Sequence, residues 1–244
     1  RRVTGVPTAT GKHMERYLKE TRLLDFSRLS LVDLVKSRGW AALPKYERIG
    51  SIYEFVQNEI AFGYNEADDI PASQVYNDGY GQCNTKGTLL MALLRKCGIP
   101  CRFHAFTIDK KLQKGTISGL AYSLAPRRII HSWVEVWFEE KWVNLEGFIL
   151  DRTYLKSVQN KFSGIEGAFC GFAVATPNLK NPPIKWEGTD TYIQKDCINH
   201  DYGVFDDPDA FYRGHGANLS GIKRFMFRHI IRKWINNSVS RIRR

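Results

Sequence analysis

No run of eighteen apolar residues occurs in the sequence, so no membrane-spanning helix is expected. Cysteine is scarce: the five among 244 residues are an odd number at irregular spacing, which argues against a disulfide framework. A reducing environment fits that usage, and a cytoplasmic location is the expectation. Residues 1–5 carry no apolar signal region. The sequence does not open with Met, so a leader removed ahead of Arg1 stays open. No internal repeat is present. The acidic run Glu66, Asp68, Asp69 and the aspartates of 201–209 lack calcium-loop spacing, and Cys97, Cys101 and His104 lack a fourth zinc ligand nearby. No cofactor and no metal are expected. Acidic residues are missing from 221–244, which hold eight Lys and Arg.

What is present supports a packed protein. Hydrophobic residues make up 43% and aromatics 13%, enough to bury a core over most of the length. The net charge of +11 is uneven. Residues 1–50 carry eleven basic residues against five acidic ones, whereas 51–220 carry seventeen against twenty. Basic ends around a mildly acidic middle permit an anionic partner without naming one.

The stretch that organises the rest is Tyr80-Gly81-Gln82-Cys83-Asn84-Thr85-Lys86-Gly87, running on to Cys97. Leu90, Leu94 and Cys97 recur at helical spacing with Leu89 and Leu93 beside them, so a buried helix is predicted. Gly98 stops it and Pro100 prevents its return. Cys83 then sits at the helix start, where the dipole and unpaired N–H groups favour a thiolate. Such a thiolate can attack a carbonyl carbon. A thiol needs a base, and the base needs an orienting carboxylate. Residues 129–138 alternate as a strand, with His131, Trp133 and Glu135 on one face. After a short turn at Glu139 and Glu140, residues 141–146 read as the next strand. His131 and Glu146 are placed there to supply base and carboxylate. His104, on a strand over 102–106, is a rival base without that context.

These motifs resemble the transglutaminase-like, papain-related superfamily. Tyr80-Gly81-Gln82-Cys83 is similar to its nucleophile motif, and Leu94-Arg95 with Gly98-Ile99-Pro100-Cys101-Arg102 to its signature "LLR…GIPAR". His131-x-Trp133-x-Glu135-Val136 resembles its histidine strand, and Trp142 followed by Glu146 its Trp and Asp. The resemblance spans about Tyr80 to Asp151. Glu146 replaces the usual aspartate, Gly147 the usual proline, Gly87 an alanine and Cys101 another alanine. The position six before Cys83 is Asn77, where papain-like enzymes have glutamine. The resemblance implies an α+β fold, a papain-like core with the Cys83 helix on an antiparallel sheet. It also implies acyl transfer through a thioester on an amide or ester substrate, such as a peptide or small molecule. Cys83, His131 and Glu146 are then the catalytic set. Gln74, Asn77, Tyr80, Gln82 and Trp133 are candidates for binding substrate or its oxyanion. Water as acceptor makes a hydrolase of the cysteine-protease or amidase kind. An amine makes a transglutaminase-type acyltransferase, and a non-catalytic binding module is the third reading.

Along the chain, residues 1–62 read as an N-terminal helical layer, 63–160 as the catalytic core and 161–244 as an extension, in one compact unit. Residues 13–25 suggest a helix, Ser30 an N-cap, Gly39 a helix end, and Pro44 the start of a helix with an Ile49, Ile52, Tyr53, Val56, Ile60 stripe. Residues 110–128 read as a basic loop or extended hairpin. Tyr154 to Val158 suggests a short helix, and Asp207 with Pro208 a helix start. Cys170, Cys197, His200 and His215 are too dispersed to argue a site. The last segment, 220–244, reads as a basic helix with Ile222, Met226, Ile230 and Trp234 every four residues. That stripe is expected to dock on the core, with membrane or nucleic acid as the possible anionic partner of the segment. Oligomeric state is not readable.

Overall fold

The computed structural model describes residues 14–117, 122, 128–218 and 225–243. Its centre is the helix Cys83–Lys96, whose residues are buried from Cys83 through Arg95. Leu89, Leu90, Met91, Leu93 and Leu94 are completely inaccessible, each contributing about 2 kcal/mol of burial. Gly98 ends the helix at a positive φ of 73°, a conformation glycine adopts without steric cost.

Two short pairs of strands, β1 (Ala61–Phe62) with β2 (Tyr80–Gly81) and β6 (Phe169–Gly171) with β7 (Val174–Thr176), stand apart from the main sheet. That sheet meets one side of the Cys83 helix. It is antiparallel and formed by β3 (Cys101–Asp109), β4 (Arg128–Phe138), β5 (Lys141–Leu145) and β8 (Ile198–Phe205), in the order β5-β4-β3-β8. Register is set by burial: Val134 and Val136 are buried against Leu145 and Val143 as cross-strand partners. The β4–β5 turn places Glu139 and Glu140 at φ 45° and 60°, the left-handed pair that a two-residue hairpin requires. β8 was not predicted. Its sequence is half polar, its residues are mostly exposed at the sheet edge, and two register shifts interrupt its pairing with β3.

The other side is covered by α1 (Leu29–Arg38) and α2 (Lys45–Asn58). All five residues of the expected α2 stripe are buried. Gly39 ends α1 as expected, but Arg28 and not Ser30 is its N-cap. The helix expected over 13–25 is confined to one turn ending at Leu18, because Leu23 and Leu24 are fully buried in a bend and not on a helical face. Asp207 caps the helix Pro208–His215 by accepting from the Ala210 N–H at 2.8 Å.

Gly87 lies mid-helix facing β4. A Cβ added there would meet Phe148, Val134 and Ser132 at 3.6–3.9 Å, ordinary contact distances. Gly87→Ala should therefore stabilise the protein by about 0.5–1 kcal/mol through helix propensity. A lower denaturation midpoint in that variant would refute the fit.

Candidate active site

Cys83 is the first residue of its helix, so no carbonyl of that helix can accept its N–H. The helix start is fixed by Gln82, which accepts from the Thr85 backbone while the Thr85 hydroxyl accepts from the Gln82 N–H at 3.1 Å. Gly81 is required beside it, since a Cβ there would lie 2.7 Å from the Thr85 hydroxyl. Lys86, one turn on and fully buried, donates to the carbonyls of Gln57 at 3.1 Å and Ile149 at 3.0 Å. Burial lowers its pKa to about 7, against an opposing pull from Asp151.

His131 and Glu146 are both completely buried, and His131 Nε2 lies 2.7 Å from Glu146 Oε1. The other ring nitrogen, Nδ1, has no hydrogen-bond partner among the described residues, and Cys83 reaches the ring through its charge. Burial alone would lower the His131 pKa. Cys83 and then Glu146 outweigh it and raise the pKa to about 10. The imidazole is thus held as the cation through neutral pH.

The second oxygen of Glu146 sits in a seat of three consecutive backbone amides. Ile193, Gln194 and Lys195 donate to Oε2 at 2.8, 2.9 and 3.1 Å. Their segment precedes β8, far beyond the motif-bearing stretch. A carboxylate in such a concavity is fixed in position. Sequence reasoning missed these residues, because the contribution comes from main-chain groups that any side chain can supply. Close to the seat, the sulfurs of Cys170 and Cys197 lie 2.7 Å apart, though neither was read as part of a site.

Cys83 opens on a cavity of about 380 Å³. Its wall is largely apolar, with Ile108, Ile117, Ile129, Ile130, Ile231 and Ile235 among the lining residues. The polar lining includes Asp68, whose carboxylate organises the rim. One oxygen accepts from Gln82 at 3.0 Å and Asn84 at 3.2 Å, and the other from Asn218 at 2.8 Å. The acidic run, which lacks the spacing of a calcium loop, therefore contributes a structural anchor. Among the described residues no group of acidic, His or Cys side chains could hold a metal ion.

The remaining predicted residues divide. Gln82 lines the cavity, but its amide is committed to Asp68. Gln74 and Asn77 lie on the helix Ala72–Asp78 away from the cavity, and Asn77 is exposed. Tyr80 packs by Gly63 and does not line the cavity. Trp133 is buried among Phe106, His104 and Tyr192, outside the lining, with its indole N–H unpartnered. Gln74, Asn77 and Tyr80 share a reason: nearness to Cys83 in sequence says nothing about which way a side chain points. Trp133 shares a strand face with His131 but packs into an aromatic cluster. His104 is held between Glu135 at 2.6 Å and Asp201 at 3.0 Å, away from the thiol's own pairing. Burial pushes the Cys97 and Cys101 thiols up to about 11.

The C-terminal stripe also differs from expectation. Ile222 lies outside the described residues, and Met226, Ile230 and Trp234 are exposed. The docked face is instead Phe227, Ile231, Ile235 and Val239. Two apolar stripes run along this helix, and a π-turn at Phe227–Ile231 adds a residue and re-aims them. No helix among the described residues is long and apolar enough to cross a membrane.

Residues 36–147 match the family model of the transglutaminase-like superfamily. Among solved structures, a candidate cysteine protease from Cytophaga hutchinsonii aligns over 57% of this chain and 43% of its own, at 16% identity and a TM-score of 0.43. Red sea bream transglutaminase aligns over 55% of this chain and 26% of its own, at 16% identity and a TM-score of 0.30. The chain spans less than half the length of either. No curated protein matches it at significant similarity.

Proposed function

We propose, from the premise that residues 36–147 carry a transglutaminase-like core, that this protein is a thiol hydrolase acting on apolar acyl amides or esters. The observation that carries the reading is the line from Cys83 through His131 to the seated Glu146, ending on an apolar cavity. Cys83 Sγ attacks the carbonyl carbon, and the imidazolium gives its proton to the leaving nitrogen or oxygen as that bond breaks. The neutral imidazole then takes a proton from water, whose oxygen displaces the sulfur from the thioester. Glu146 holds the ring in the orientation both steps need.

The oxyanion needs donors, and the Cys83 N–H is one. Tyr64 supplies the second in this scheme. It lines the cavity with Cys83, and its backbone is fixed by Asn236 at 2.8 and 3.0 Å. Burial, then Tyr154 and Cys83, holds its pKa far above 10, so the O–H remains a donor. Tyr64→Phe should lower kcat by about 10²–10³ with little change in KM. Tyr212, which does not line the cavity, is the control: an equal loss in Tyr212→Phe would remove the assignment.

Water is the acceptor in this reading because the carboxylates on the cavity wall are already engaged. Asp68 is hydrogen-bonded to three amides, and Glu66 is paired with Arg228 at 2.7 Å. Neither is left to hold a cationic amine. A series of acyl esters and amides of increasing chain length, offered with and without a labelled primary amine, tests the reading. Free acid from an acyl-enzyme on Cys83, favoured by longer apolar chains, is expected. Amine adducts that outcompete hydrolysis would make it an acyltransferase. Failure of iodoacetamide to label Cys83 stoichiometrically, with no acyl-enzyme, would leave a non-catalytic module.

A further inference from the structure

The helix that walls the cavity has a second apolar face with nothing on it. Phe225, Met226, Ile230 and Trp234 are 62%, 44%, 49% and 68% exposed, half of the eight large hydrophobic side chains found exposed among the described residues. They are interleaved with Lys233 and Arg228, both exposed, the second paired with Glu66 at 2.7 Å. The opposite face is fastened down. Ile235 and Val239 are buried, Asn236 pairs with the Tyr64 backbone, and Arg243 donates to Asp151 and to the Phe62 carbonyl. The outward stripe is therefore held out by a docked helix and is not a frayed end.

We propose that this face seats the protein on an anionic lipid bilayer. The aromatic and aliphatic side chains would enter the headgroup boundary while the cations meet lipid phosphates. An amphipathic helix lying in an interface has this combination of apolar and aromatic residues beside Lys and Arg. Charge decides against the other occupants. Residues 221–244 carry eight basic residues and no acidic one, so two copies meeting through this face would bring like charge together. A nucleic acid would satisfy the cations but leaves Met226 and Ile230 without a partner, because aliphatic side chains offer bases no stacking platform. Met226 belongs both to the stripe and to the cavity wall, so the seat adjoins the mouth that leads to Cys83.

The test is flotation of the full chain with phosphatidylcholine vesicles, with and without a phosphatidylglycerol fraction. Binding only to the anionic vesicles, weakened by added salt, is expected. The double variant Ile230→Ser, Trp234→Ser should bind at least about tenfold more weakly, since two exposed apolar groups lose their burial. Both side chains point to solvent, so its thermal midpoint should match the parent, and iodoacetamide should label Cys83 in both alike. Absence of binding to either vesicle overturns the proposal. So does undiminished vesicle binding by the double variant, or retention on single-stranded nucleic acid that outcompetes the vesicles.

Discussion

Cys83→Ala should abolish acyl-enzyme formation and reduce turnover by about 10⁶, the loss seen when the nucleophile of a coupled set is removed. The same substitution has a second, physical signature. Cys83 is the largest of the influences that raise the His131 pKa to about 10, and burial opposes them. Without Cys83, the imidazole keeps its burial and only Glu146 as a counter-charge, so its pKa should fall. Histidine ring signals followed by NMR against pH would report it. The linkage has a definite sign. A folded pKa raised above the ordinary 6.5 gives stability that is fully present below 6.5 and lost as pH rises through about 10. That alkaline decline should shrink in Cys83→Ala when denaturation midpoints are compared across the window. An unchanged His131 titration would show that the thiol and the ring do not communicate.

Glu146→Gln should slow turnover by about 10⁴ with Cys83 still alkylated. The geometry explains why the damage is double. Three N–H groups require an acceptor at Oε2, which turns a glutamine's Nε2 toward His131. Two donors then face each other across a contact of 2.7 Å, and the imidazolium loses its counter-charge. Glu146→Asp would match the residue usual in the superfamily, yet restoration is not expected. Aspartate is one methylene shorter and cannot reach both the amide seat and His131 from this backbone. Its turnover should fall between those of the parent and the glutamine variant. Full activity in Glu146→Gln would transfer the orienting role to another acid.

The sequence made the centre of the fold legible because local rules governed it. Apolar spacing marked the Cys83 helix, alternation marked β4, and the Glu139–Glu140 turn followed from the pattern on either side. The three side chains the motifs singled out are gathered at one place. Legibility failed where the chain used groups without a side-chain signature. The amides of 193–195 are invisible to motif reading, as is the exposed edge strand β8. Tyr64 was passed over because it stands nineteen positions before Cys83 and belongs to no pattern. The C-terminal helix misled for a different reason: both of its stripes have a spacing of four, and only packing chooses between them.

The three-amide seat also separates the recognisable segment from the working one. Residues 36–147 contain the thiol, the imidazole and the carboxylate, and a fragment trimmed to that match would appear complete. Such a fragment would present Glu146 with one oxygen on His131 and the other without its three N–H donors. The side chain would then be free to rotate away from the ring it is meant to hold. Transplanting the chemistry into another scaffold therefore means carrying the loop from Thr191 to Lys195 along with the helix and the hairpin, whatever its side chains are.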